Sequence, residues 1–113
     1  MFEKLKINKE FRRVYGRGKS YLSPYIVSYV MKTRGEKVRI GITVSKKIGS
    51  AVMRNRAKRL ITAAFRQCLP NISSGCDIVF VARSRILTAK SYEVAAAIKS
   101  HMKAAGVWNE NDK

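Results

Sequence analysis

The stretch VRIGITVSKKIGSAVMRNRAKRLITAAFRQC, residues 38–68, decides how this chain folds. Its first eight residues alternate. Val38, Ile40, Ile42 and Val44 are apolar, while Arg39, Gly41, Thr43 and Ser45 are polar or small. A period of two marks a strand with one buried face, here Val38 to Ser45. The small Gly41 and Thr43 leave floor space on the polar face, which is either an ordinary solvated face or a surface something lies on. The period then changes. From Ser50, a helix cap, to about Cys68, the apolar residues Met53, Ala57, Leu60, Ile61, Ala64, Phe65 and Cys68 recur at helical spacing. Pro70 stops the helix soon after.

Downstream, Asp77 to Ala82 is a short apolar run bounded by turns, which predicts a central strand. Strand, helix, strand implies a crossover and a parallel pair, for which the default hand is right. Ser91 to Ala105 predicts a last helix packing through Val94, Ala95, Ile98, Met102 and Ala105, with Gly106 just past its end. Trp108 then clamps onto the core. Upstream, Asn8 caps a short helix with Glu10 in its first turn. Phe11, Val14 and Tyr15 form its stripe, and Gly16 or Gly18 ends it. Tyr25 to Lys32 reads as a strand, with Tyr25, Val27, Tyr29 and Met31 on one face and Ile26, Ser28 and Val30 on the other. The expected fold is α+β, a single two-layer α/β sandwich on a small mixed sheet, in the order α-β-β(-β)-α-β-α. One domain covers 1–113, with an ordered core at about 4–106 and a short tail at 107–113.

The 113 residues carry 24 Lys and Arg against 7 Asp and Glu, a net charge of +17. A field that strong repels itself in the compact state and calls for a polyanionic partner. Hydrophobic residues make up 46% of the chain, enough for a packed core, so this is no disordered basic tail. No apolar run approaches a membrane span, and residues 1–9 do not read as a signal peptide, so a cytoplasmic location is expected. Cys68 and Cys76 read as two reduced thiols. His101 is the only histidine and reads as a surface residue. With no metal-ligand spacing, no nucleophile set and scattered acids, catalysis by this chain and a metal site within it are not expected.

The charge is unevenly placed. No acid occurs from Lys37 to Cys76, a block containing Lys37, Arg39, Lys46, Lys47, Arg54, Arg56, Lys58, Arg59 and Arg66. A merely solvated helix interleaves Glu with Lys, and the helix from Ser50 has no acid. Arginine forks grip phosphate in bidentate fashion, and a helix N-terminus behind Lys46 and Lys47 favours an anion. A helix between strands is not the usual DNA-reading arrangement, and structured RNA is read through phosphates and shape. Phe11, Tyr15, Tyr25 and Tyr29 offer stacking faces for a single strand, although the spacing of Phe11 alone favours core packing.

These residues resemble a known family. Gly41-Ile-Thr-Val-Ser-Lys-Lys-Ile-Gly49, followed by Ala51-Val-Met-Arg-Asn-Arg-Ala-Lys-Arg-Leu-Ile61, is similar to the signature of the bacterial ribonuclease P protein component. Glu10-Phe11-Arg12-Arg13-Val14-Tyr15, the Gly16 to Gly18 turn and Asp77 to Arg83 match as well, so the resemblance covers about Lys4 to Lys103. It implies the protein subunit of a ribonucleoprotein that removes the 5′ leader of precursor tRNA. The RNA subunit is then the catalyst and holds Mg²⁺, and the protein is an accessory subunit without catalytic residues. It also implies a left-handed crossover around the signature helix, in place of the right-handed default. On the matching positions, Lys46, Lys47, Arg54, Asn55, Arg56, Lys58 and Arg59 are expected to face the catalytic RNA. Thr62 stands where many members carry Arg, and Arg66 one turn later is expected to substitute. Phe11, Arg12, Tyr15, Arg17, Val27 and Tyr29 are expected to form the leader cleft, with Arg13 and Lys19 on its rim. The alternative is a ribosomal or RNA-chaperone module with no part in cleavage.

Overall fold

The structure, a computed structural model, describes residues 2–110. The helices are α1 (Asn8–Arg17), α2 (Ala51–Cys68) and α3 (Ser91–Ala105), and the strands are β1 (Phe2–Lys4), β2 (Lys19–Leu22), β3 (Ile26–Lys32), β4 (Val38–Thr43) and β5 (Cys76–Ala82). They form one mixed sheet ordered β1-β4-β5-β3-β2. β4 runs parallel to β1 and to β5, with Arg39 opposite Asp77, while β3 is antiparallel to β5 and to β2.

The alternation in β3, β4 and β5 divides the sheet into two faces. Ile26, Val30, Val38, Ile40, Ile78 and Phe80 join Ala57, Ile61, Phe65, Val94, Ile98 and Met102 in the main core beneath α2 and α3. That is the expected two-layer body. α1 lies on the opposite face, where Val14, Leu5 and Val79 form a smaller cluster edged by Phe11, Tyr29, Met31 and Val81. α1 covers only part of this face, and the remainder becomes the groove described below.

Several boundaries depart from expectation. β1 precedes the first helix and extends the ordered core before residue 4. Phe2 packs edge-on to Phe65, ring centroids 5.1 Å apart. β2 fills the optional strand position at the sheet edge. Asn8 does not cap α1. The capping falls to Glu10, whose Oε1 accepts the backbone N–H groups of Lys6 (2.8 Å) and Ile7 (3.3 Å). Those two bonds hold the Glu10 carboxyl below its ordinary pKa, with Arg39 adding to the effect. Tyr25 lies outside β3, because Ser23 Oγ accepts from the Tyr25 and Ile26 backbone N–H groups and turns the chain there. Its hydroxyl donates to Glu93 of α3 at 3.3 Å, so it is removed from the face of Tyr29. Met53 is 40% exposed, since the first turn of α2 projects past the core and burial begins at Ala57. Val107 is buried, Trp108 bridges to Ile72 and the Asn109 N–H donates to the Asn71 carbonyl (2.6 Å), so the packed chain runs beyond 106. Residues 111–113 of the expected tail lie outside the described residues.

His101 is also not a surface residue. It is 5% exposed, and its Nδ1 lies 2.7 Å from the Ser28 hydroxyl. Burial pushes its pKa below the ordinary value of 6.5, with a hydrogen bond to the Leu22 backbone opposing this. The unfolded chain therefore takes up this proton at a higher pH than the folded one. Stability is expected to fall as pH drops below about 6.5, before the carboxylates titrate. Urea unfolding at pH 8 and pH 5.5 checks this, and His101→Gln should remove most of the difference.

Candidate nucleic-acid interface

β4 delivers the chain into a 3-10 turn at Lys46–Ile48, with Ile48 buried as its anchor and both lysines exposed. Gly49 follows at φ +146°, a conformation side chains rarely adopt, and Met53 Sδ would lie 2.7 Å from any Cβ placed there. Ser50 then caps α2, its Oγ accepting the Met53 N–H at 3.3 Å. Arg54 folds back, half-buried, and its Nη1 donates to the Gly49 carbonyl (2.8 Å). It thereby braces the turn that carries the two lysines. Asn55, Arg56, Lys58 and Arg59 are exposed. The Thr62 hydroxyl is engaged with the Lys58 carbonyl at 2.8 Å. Arg66 lies over the Phe2 ring, 5.8 Å from its centroid, toward the β1 edge.

Among the described residues, the cations in ion pairs are Lys37, Arg39 and Lys103, none of them on α2. The field of α2 is therefore not neutralised within the protein. Lys37 and Arg39 leave the basic block, because Glu3 and the Asp77–Glu10 pair hold them.

On the opposite face, the Phe11 ring packs against Gly41. A Cβ at Gly41 would meet the ring at 2.5 Å, so the floor space seen in the sequence is filled by this side chain. Tyr15 is 37% exposed, its hydroxyl 3.0 Å from Thr43 Oγ1, and its ring packs edge-on to Tyr29 with centroids 4.9 Å apart. Phe11, Arg12, Tyr15 and Thr43 line a hollow of about 450 Å³, and Lys58 of α2 closes its far wall. A second hollow of about 240 Å³ continues along Phe11, Gly41, Lys58 and Thr62. Val27 and Tyr29 are half-buried on β3 and line neither hollow; Tyr29 meets the groove through its contact with the Tyr15 ring. Arg17 does not join this groove. It stands with Arg13 and Lys19 around a different cavity on the other flank of α1.

One functional group escaped the sequence reading. Arg39 donates from Nε and Nη2 to Asp77 Oδ1 (3.0 Å) and Oδ2 (2.7 Å), and from Nη1 to Glu10 Oε2 (2.9 Å). The paired carboxylate of Asp77 holds the Arg39 guanidinium firmly protonated. This triad ties α1 to β4 and β5 and sets the height of the groove wall. An acid opening an otherwise apolar central strand, with an Arg on the matching face of its parallel neighbour, was the available signal. Both thiols are buried, and burial pushes each up to about 11, which leaves them inert at neutral pH.

The family model described as Ribonuclease P matches residues 2–106. The chain is 42% identical over 119 residues to the ribonuclease P protein component of Clostridium beijerinckii, covering 99% of this chain and 95% of that one. The structure of the Staphylococcus aureus RNase P protein superposes with a TM-score of 0.82 at 31% identity, covering 96% of this chain and 100% of that one. That of Thermotoga maritima gives 0.79 at 28% identity, with coverage of 90% and 96%.

Proposed function

The chain belongs to the ribonuclease P protein family, and from that premise we propose that it binds the catalytic RNA subunit through α2 and receives the 5′ leader of precursor tRNA in the groove beside α1. The observation that carries this reading is Lys58. It belongs to the basic helix yet lines the same hollow as Phe11, Arg12 and Tyr15. A surface for folded RNA and a groove for a single strand are thus continuous at one cation. On α2, Asn55, Arg56, Lys58 and Arg59 approach the RNA phosphates, Lys46 and Lys47 extend that surface, and Arg54 keeps the lysine turn in place. Arg66 contributes only at the β1 end.

In the groove, base stacking on Tyr15 and the half-buried ring of Phe11 supplies affinity without sequence choice. That tolerance suits a subunit meeting many different leaders. The reaction is endonucleolytic removal of the leader in the cytoplasm, with Mg²⁺ held by the RNA. The described residues include no cluster of three or more His, Cys, Asp or Glu able to hold an ion. In the complex two polyanions meet, and the unneutralised cations of α2 lower their mutual repulsion.

The deciding experiment mixes the protein with its own RNA subunit and precursor tRNA at low Mg²⁺. Stimulated 5′ processing is expected. Its absence would overturn the reading in favour of a binding module with no part in cleavage. Tyr15→Ala should weaken binding of leader-bearing tRNA by about 1–3 kcal/mol while sparing mature tRNA. Equal loss for both would show that Tyr15 acts only by packing on Tyr29.

A further inference from the structure

α1 is a ridge with a channel on each side. Arg12 and Tyr15 face the leader groove. Arg13 and Arg17, four residues apart on the other flank, face a cavity of about 760 Å³ at the corner between β2, β3 and the end of α3. Lys19, Lys32 and Arg34 complete its rim, and Tyr21 contributes a ring. The lining includes no acid. Among the described residues, none of these five cations forms an ion pair.

Compensation within the fold is too small to account for them. The C-terminal ends of α1 and α3 reach this corner, and Lys32 lies over Gly106, its Nζ 3.1 Å from where a Cβ would stand. Each helix end is worth about half a negative charge, so together they offset about one of the five cations. Roughly four charges remain converging on one cavity, and of the five cations only Arg13 also borders acids, in the adjoining hollow with Glu3, Glu36 and Asp77. Arg34 is also displayed on a pinned turn. The Thr33 N–H donates to the Gly75 carbonyl (2.8 Å), and Gly75, at φ +79°, leaves no room for a Cβ beneath the Gly35 carbonyl.

We infer that this cavity is a further phosphate-binding site, which takes the phosphodiester backbone of RNA on the flank of α1 away from the leader groove. Guanidinium forks and open ammonium groups match backbone phosphates. An enclosed, apolar small-molecule pocket would be lined differently. Arg17 and Lys19 round the C-terminal end of α1, so a strand leaving the groove passes the end of the ridge and enters the cavity. The same chemistry also suits a segment of the RNA subunit.

The test uses Lys32→Ala with Arg34→Ala in the full chain, two exposed residues outside the groove and outside α2. Affinity is measured against salt for two RNAs, a precursor tRNA with a long leader and the RNA subunit. Loss of two phosphate contacts lowers the log–log salt slope by about 1.4–1.8, a weakening of roughly 25- to 60-fold at 0.1 M salt that fades toward 1 M. Loss confined to the long-leader tRNA assigns the site to the substrate strand, and loss confined to the RNA subunit assigns it there. Lys32→Arg with Arg34→Lys should keep the slope, and the thermal midpoint should not move. An unchanged slope for both RNAs overturns the inference. If Tyr15→Ala still loses leader affinity in that case, the groove reading stands without it.

Discussion

Arg39→Ala is expected to destabilise the protein by about 3–5 kcal/mol, because it strands a buried carboxylate. Asp77 is 2% exposed, and both of its oxygens are bonded to the Arg39 guanidinium. Removing the cation leaves that charge beneath α1 with no partner. Chemical denaturation would read the loss directly. The size of the effect reports an orphaned charge rather than the net worth of the triad. Arg39→Met combined with Asp77→Leu should therefore recover most of the stability, since an apolar pair of similar volume carries no desolvation penalty. If the double variant is as unstable as the single one, the triad is a positive contributor in its own right. A functional consequence follows from Glu10, which caps α1 and also accepts from Arg39. Without that tie the first turn of α1 loosens, and leader affinity should fall in Arg39→Ala even below its unfolding temperature.

Gly41→Val is the second large effect, and it acts at the groove floor. The new Cβ alone would sit 2.5 Å from the Phe11 ring and 3.3 Å from Leu5 Cδ1. α1 cannot simply rise to make room, because Val14 is fully buried and the Glu10–Arg39 bond holds the helix down. Overpacking of this kind costs about 1–3 kcal/mol, and Phe11 must turn out into the hollow where the leader is proposed to lie. Binding of leader-bearing tRNA should drop while affinity for the RNA subunit through α2 is kept. Phe11→Ala in the same chain should restore stability by vacating the space, yet it should not restore leader binding, because the stacking face is gone. Recovery of both would show that Phe11 serves the fold alone.

The parts of the molecule that could be read in advance are those whose signal is local. β4, α2 and α3 each repeat their period over at least six residues, β5 is a continuous apolar run bounded by turns, and the limits of all four fall within two residues of expectation. β1 and β2 span only three and four residues at the sheet edges, too short to show any period, and both are rich in exposed polar side chains. His101 differs from expectation because helical spacing cannot reveal a hydroxyl on a strand 73 residues away. The basic face of α2 was legible because its charges lie close together in the chain and no acid interrupts them.

What the sequence determined by itself is the strand–helix–strand centre, the family, and a field that calls for a polyanionic partner, because period, motif and net charge are properties of neighbouring residues. What only the tertiary structure decided is which charges and rings remain free to act. Arg39 belongs to the fold because it meets an acid 38 positions away, and Tyr15 is oriented by a hydroxyl 28 positions away. Phe11 fills the space that Gly41 leaves. Docking of the Val14 stripe on the sheet leaves Arg12 on one flank of α1 and Arg13 and Arg17 on the other, so one basic helix faces two channels. Such outcomes depend on strand pairing and on how closely a helix approaches a sheet, and no window of consecutive residues contains them.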